Sequence, residues 1–352
     1  MNILEYRPIF GTFSLGFENL GQNEVVEVLK LDKEAVFGYN NTHKQWFFNN
    51  FDEISTHEPK KPIDLAIFTP EIGGKVGSQA KDNFSFRDFQ NCLNFLAREK
   101  PKFAIFCTES SAIELINTSD SYVRDGFGQL SKDEVIFQLQ QMGYDAYLVA
   151  IDEADYGIPS HRRFAFYVAT PKNYGFAFPK GNYTRSGRGK YKKHLTVADA
   201  IGDLGPKGEW VPYTSAPQNV YQRNIRGKAQ NTTWHHHQKI KDSQKETIAC
   251  IKEGQNASRT EAVKQRSGYN RPRWASTPTL DDKFYLVSSK YDSIHPHENR
   301  PFTIREGARL LGLPDKLSFE LKTPKKYIAK NIYRSVSPII GELMAIGLRL
   351  VG

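Results

Sequence analysis

From the N-terminus to about Pro171, the chain alternates between short apolar runs and stretches of helical period. Val25 to Leu29, Ile63 to Phe68, Phe103 to Phe106, Ala146 to Ile151 and Phe164 to Ala169 have the pattern of strands buried in a sheet. The clearest helix between them begins at Ser131, where Ser131 and Glu134 have capping-box spacing. Val135, Leu139 and Met142 share its apolar face, and Gly143 follows its end. Strands alternating with helices predict an α/β fold with a mostly parallel sheet.

After Pro171 the texture changes. From Tyr174 to about Lys290, Gly, Pro, Asn, Ser, Thr and basic residues dominate, and Trp210, Tyr213, Tyr221, Trp234 and Trp274 are interspersed. This predicts an irregular second lobe. Its aromatics suit nucleic-acid contact and equally suit a small core. Regular pattern returns at Pro301. Thr303 and Glu306 form a second capping box, opening a helix through Leu311 that Gly312 and Pro314 stop. A last apolar helix is expected from Ile339 to Val351.

Composition adds limits. The 352 residues, 39% hydrophobic, suffice for one large core and a smaller lobe. No apolar run approaches the roughly 18 residues of a membrane span. The opening MNILEYRPIF is not a secretory leader, so a cytoplasmic location is expected, nucleoid-associated in a bacterium. Cys92, Cys107 and Cys250 form no CxxC pair, so neither zinc nor disulfides are expected. Adjacent His235, His236 and His237 point in different directions, and no metal site is predicted.

Charge placement is more telling. Between Lys180 and Lys290 stand 21 Lys and Arg against 9 Asp and Glu, a net of +12; the rest of the chain carries 27 against 30, a net of −3. A segment this biased faces a polyanion, and double-stranded DNA is the expected partner.

Three stretches then resemble a known family. They are Asp155-Tyr-Gly-Ile-Pro-Ser-His-Arg-Arg-Phe-Ala-Phe-Tyr-Val-Ala169, Arg300-Pro-Phe-Thr-Ile-Arg-Glu-Gly-Ala-Arg-Leu-Leu-Gly-Leu-Pro-Asp315, and Ser335-Val-Ser-Pro338. In this order and spacing they resemble motifs VIII, IX and X of the DNA cytosine-C5 methyltransferases. The resemblance implies a Rossmann-like S-adenosylmethionine (SAM) methyltransferase domain with a small target-recognition lobe inserted late. The expected division is 1–178 for the large domain, 179–298 for the basic recognition domain, and 299–352 for C-terminal helices returning to the large domain.

The family reaction implies particular groups. A thiolate adds to C6 of a flipped cytosine, an acid protonates N3, and an arginine holds the base. SAM lies on a Gly-rich turn, with an acid gripping its ribose. At the nucleophile position, in Thr69-Pro70-Glu71, a glutamate replaces the cysteine. A carboxylate is a weak nucleophile toward a pyrimidine carbon. The register puts Cys107 at the proton-donor position, with Glu109 two residues on as the alternative. In the arginine pair, Arg162 is kept and Phe164 stands in place of the second.

The cofactor side is altered too. The turn reads Phe10-Gly11-Thr12-Phe13-Ser14-Leu15-Gly16, with bulky Phe13 expected in the loop. Lys30 replaces the ribose acid in Lys30-Leu31-Asp32, and Tyr333-Arg334 replaces the final motif's Gly-Asn. Phe10, Gly11, Lys30 and Asp52 are the residues expected around this degenerate pocket, with no cofactor predicted to fill it.

The leading expectation is a pseudo-methyltransferase that binds duplex DNA, as partner of an active methyltransferase or restriction subunit. Its expected DNA contacts are Arg162, Arg163, Lys190, Lys192, Lys193, Arg271 and Arg273, with Asp155 as the carboxylate that could instead pair with Arg162. A second reading keeps an enzyme: Glu71 as general base or stabiliser of a cationic sugar, and Lys30 accepting an acidic ligand. A third is an ordinary cytosine methyltransferase with displaced early motifs, for which Cys92 and Cys107 are the nearby thiols.

Overall fold

The computed structural model describes residues 1–44, 53–69, 86–109, 132–236, 248–249, 294–298 and 300–350. In chain order the strands are β1 (Asn2–Tyr6), β2 (Glu24–Leu29), β3 (Leu65–Phe68), β4 (Phe103–Glu109), β5 (Tyr144–Asp152), β6 (Arg163–Pro171), β7 (Tyr183–Thr184), β8 (Lys192–Lys193), β9 (Val211–Pro212) and β10 (Asn231–Thr232). The helices are α1 (Thr12–Asn19), α2 (Val36–Thr42), α3 (Phe86–Glu99), α4 (Lys132–Gln141), α5 (Val197–Ile201), α6 (Val220–Arg226), α7 (Ile304–Leu310), α8 (Lys325–Arg334) and α9 (Pro338–Gly347). The described residues divide into two compact units. Unit 1 is 1–152, 163–180 and 335–352; unit 2 is 153–162 and 181–334.

Unit 1 holds a six-stranded sheet of order β2-β1-β3-β4-β6-β5. β2, β1, β3 and β4 run parallel, whereas β6 is antiparallel to both β4 and β5. The sheet is therefore mostly parallel, as the apolar runs predicted. Every residue of β3 is buried, which explains its unbroken Leu-Ala-Ile-Phe sequence. On α3, Phe89, Cys92, Leu93, Phe95 and Leu96 recur at helical spacing and join the core with Phe68 and Phe106. Val135 and Leu139 of α4 join the same core, with Met142 packed against it. The cap expected at Ser131 lies outside the described residues.

Two glycines set how closely α1 and α9 cross. A Cβ on Gly16 would collide with the Pro338 carbonyl, and one on Gly341 with the Phe13 carbonyl. The helices thus meet backbone to backbone. Thr12 Oγ1 adds a 2.6 Å hydrogen bond to the Val336 carbonyl. This corrects the reading of residues 12–16 as a cofactor loop. They are helical, Phe13 stacks on Phe166 with centroids 5.3 Å apart, and Gly16 serves helix packing.

Unit 2 contains α5 to α8 and the short pairs β7–β8 and β9–β10. The capping box at Thr303 and Glu306 is present at the start of α7. Residues 300–334, expected with the large domain, cluster instead with unit 2. The physical reason is a buried ion network. Arg309 reaches both Asp315 and Asp203, while Arg305 donates to the Thr233 carbonyl at 3.1 Å and to the Leu317 carbonyl at 2.7 Å. The last helix, α9, belongs to unit 1; it opens at Ser337, with Pro338 in its first turn.

Candidate functional site

Of the family positions of unit 1, the turn after β1 and Lys30 lie at the carboxyl ends of parallel strands, where doubly wound sheets take their ligands. β1 ends at Tyr6 and is followed by the turn Arg7 to Gly11, the latter in left-handed conformation with φ 64°. Lys30 follows the end of β2 and pairs with Glu53. Beyond β3, Pro70 and Glu71 lie outside the described residues, as does Asp52.

β4 runs further than its apolar core predicted, through Cys107 to Glu109. Cys107 therefore sits inside the strand, paired across to Phe166, with its thiol buried. Phe164, at the second-arginine position, is buried on β6 opposite Glu109.

Does the Arg7–Gly11 turn suit SAM? The space beside Gly11 is filled by the stacked rings of Tyr39 and His43, with which any Cβ there would collide. Tyr39 in turn donates its hydroxyl to Glu5, and His43 Nδ1 lies 3.1 Å from Glu18 Oε2. Burial raises the Glu5 carboxyl and carries the Tyr39 hydroxyl well above its ordinary value. This glycine thus admits the packing of α2, and Phe10 beside it is buried. Lys30 is a donor only and cannot accept from a ribose hydroxyl pair. Lys30, at the strand end, is therefore not the ribose acceptor that SAM requires.

In unit 2 the loop from Glu153 to Arg162 is closed on itself. The Glu153 amide donates to the Arg162 carbonyl at 2.9 Å. The Arg162 guanidinium grips the Glu153 carboxylate through Nε at 2.8 Å and Nη2 at 2.7 Å, and donates to the Tyr333 carbonyl at 2.6 Å. Both side chains are buried. Arg162 was expected to contact DNA; its guanidinium instead faces the interior, and its carboxylate partner is Glu153 rather than Asp155. Arg163, the next residue, is exposed, with Asp152 3.5 Å away.

Asp155 has a different role. Its carboxylate lies 2.9 Å from His194 Nε2, and the Tyr183 ring lies over Gly157. Both contacts tie the loop to the segment 181–194. That segment exposes Arg185, Arg188, Lys190, Lys192 and Lys193. Lys192 Nζ stands 5.5 Å from the Tyr183 ring and Lys190 Nζ 5.7 Å from the Tyr191 ring. From Tyr156 to Ala198 the chain holds nine Lys and Arg and not one Asp or Glu. Arg185, Arg188 and His194 were missed as candidate residues. The acid-free run was the signal that could have found the two arginines; nothing local marks His194 as Asp155's partner. Arg271 and Arg273 lie outside the described residues.

The Arg300 to Asp315 stretch is an interior framework. Arg300 binds both Glu298 and Glu306. Burial alone would raise the Asp315 carboxyl, but the Arg305 and Arg309 guanidiniums outweigh it and hold the group below its ordinary value. His235 is buried, its Nδ1 2.9 Å from Thr303 Oγ1, and burial pushes it down to about 4. His236 faces Glu209 instead, so these two neighbours do not converge. No cluster of three or more metal-ligating side chains occurs among the described residues.

A mostly parallel sheet, a glycine turn after its first strand and a late second unit define the class of Rossmann-like methyltransferase folds. The signature described as C-5 cytosine-specific DNA methylase matches residues 127–345, and the chain belongs to that family. Among curated relatives, it is 26% identical to the type II methyltransferase M.DdeI of Desulfomicrobium norvegicum, over 98% of this chain and 88% of that protein. It is 22% identical to M1.HphI of Haemophilus parahaemolyticus, over 97% and 86%. Among solved structures, S. pombe Dnmt2 methyltransferase shares the fold with a TM-score of 0.54 at 14% identity, covering 99% of this chain and 98% of its own.

Proposed function

We propose that this chain binds duplex DNA through unit 2 and transfers no methyl group. Residues 179–298 are its recognition domain, and it works beside an active methyltransferase or a restriction subunit. The observation that carries the reading is the acid-free run from Tyr156 to Ala198. Its exposed cations at 185–193 are fastened to the family's Asp155–Arg162 loop through His194 and Tyr183. The loop is itself closed by the Arg162–Glu153 ion pair, and Arg162 donates to the Leu311 carbonyl at 3.3 Å, which ties it to the Arg300–Asp315 stretch.

The lack of methyl transfer is inferred from the changed positions. Glu71 stands for the nucleophile, Phe164 for the base-holding arginine and Lys30 for the ribose acid. Each replacement removes a chemical capacity rather than weakening it. The relatives named as type II methyltransferases motivate the restriction–modification partner.

A gel-shift titration of random duplex over a salt series tests the reading. If five phosphates are neutralised, log affinity should fall against log salt with a slope of about −4.5. Changing Arg185, Arg188, Lys190, Lys192 and Lys193 to glutamine should flatten that slope and cut affinity at least about tenfold. Absence of binding at low salt, or binding indifferent to salt, would rule the reading out.

A further inference from the structure

Unit 2 carries a second acid-free run. From Trp210 to Lys241 the chain holds five Lys and Arg and neither Asp nor Glu. The run opens on the β9–β10 ribbon. There Val211 faces Thr232, Pro212 faces Asn231, and the Tyr213 amide donates to the Gln230 carbonyl at 3.2 Å. Trp210 stands at one end of this ribbon and is 60% exposed. Among the described residues the exposed aromatics are Phe137, Tyr191 and Trp210, and Trp210 is the most exposed of them.

Exposure of one side chain needs no explanation by itself. Trp210 has a second peculiarity. Its backbone is left-handed, at φ 57°, where a bulky residue is an outlier and where strain marks ligand sites. Gly, Asn or Asp would make the turn into β9 at lower cost. Trp234 makes the contrast plain. It is left-handed too, at φ 59°, but its ring is buried and its indole donates to the Phe319 carbonyl at 3.2 Å. The fold uses the Trp234 ring and leaves the Trp210 ring in solvent.

The surroundings select a partner. Glu209, the acid just before the ring, is half-buried and lies 2.9 Å from His236 Nδ1, and His236 also meets Lys325. That carboxylate is answered from within. At the other end of the ribbon Arg226 lies over the Tyr213 ring, 3.5 Å from its centroid, and Lys228, two residues before Gln230, is exposed. Trp210 and Tyr213 are separated by about 10 Å of extended chain. An aromatic face with cations beside it matches the alternation of base and phosphate along a single strand. Inside a duplex both faces of each base are covered, so a protruding indole finds its partner on an unpaired base.

We propose that Trp210 is a stacking platform for an unpaired DNA base, with Lys228 taking a phosphate of the same strand. The inference rests on the reading that unit 2 binds DNA, and it adds a preference for DNA that carries unpaired bases. No bond is made or broken.

Fluorescence anisotropy of the full chain tests it, with a labelled duplex and with the same duplex carrying a single-stranded gap. The parent should bind the gapped duplex at least about tenfold more tightly. Trp210→Ala should bring the ratio of the two affinities to within about twofold of unity, and Trp210→Phe should keep most of the preference. Circular dichroism should stay that of the parent in both. Lys228→Gln should reduce the salt slope on the gapped duplex by about 0.7. The glutamine changes at 185–193 should weaken both DNAs and leave the preference in place. A parent that binds both DNAs equally, or a Trp210→Ala protein that keeps the preference, would overturn the inference and leave duplex binding by unit 2 standing. If neither DNA binds at low salt, that reading of unit 2 falls and this inference falls with it.

Discussion

The stretch Arg300–Asp315 and the strand-end positions Gly11 and Lys30 both fall where the family places signature residues, yet their surroundings differ in kind. In the first, Arg305 and Arg309 are wholly buried and tied to Asp315, Asp203 and Thr233. In the second, Lys30 is partly exposed and held by the more exposed Glu53, and Gly11 is packed by Tyr39 and His43. A buried ion has no neutral substitute unless its partner changes as well. A partly exposed strand end can exchange acid for base at little cost to folding. Burial thus ties Arg305 and Arg309 into the fold, whereas Lys30 is held only at a partly exposed strand end.

That contrast can be broken most forcefully at Arg309. Arg309→Met leaves Asp203 and Asp315 as buried charges and should cost about 3–5 kcal/mol in urea unfolding. A cost below about 1 kcal/mol would mean that the network is not what retains these residues. Acid should act on the same unit. His235 folds neutral, with its value lowered to about 4 from an ordinary 6.5. Its contribution is complete above pH 6.5 and is lost as pH falls toward 4, by at most about 3 kcal/mol. His235→Asn should flatten that part of the stability profile. Asp315 and Glu306 are held low as well, so their ionised contribution persists to more acid conditions and is lost below their ordinary range.

Smaller effects sharpen the comparison. Thr303→Ala removes the α7 cap and should cost about 1 kcal/mol. Lys30→Gln, at the partly exposed strand end, should stay within about 0.5 kcal/mol of the parent by the same unfolding measurement. A large loss there would place Lys30 in the framework rather than at a ligand edge.

Much of the fold was legible because burial imposes pattern. The runs expected at Ile63–Phe68 and Phe103–Phe106 become β3 (Leu65–Phe68) and the first part of β4, and the capping box at Thr303 stands where it was expected. β1 was not legible, since Glu5 interrupts its apolar run; the structure buries that carboxyl with Tyr39. Gly16 was misread because a glycine for ligand approach and one for helix crossing look alike in sequence. The α1–α9 crossing decides between them. Arg162 faces Glu153 because the turn Glu153–Tyr156 brings that residue back to it. The His194–Asp155 contact joins residues 39 apart in sequence, with no local pattern to announce it.

Nucleoside mass analysis of DNA recovered from the protein–DNA complex, after incubation with SAM at stoichiometric protein, tests the absence of methyl transfer most directly. The DNA should be retained by the protein and chemically unchanged. Retained DNA carrying 5-methylcytosine, or any other altered base, would contradict it.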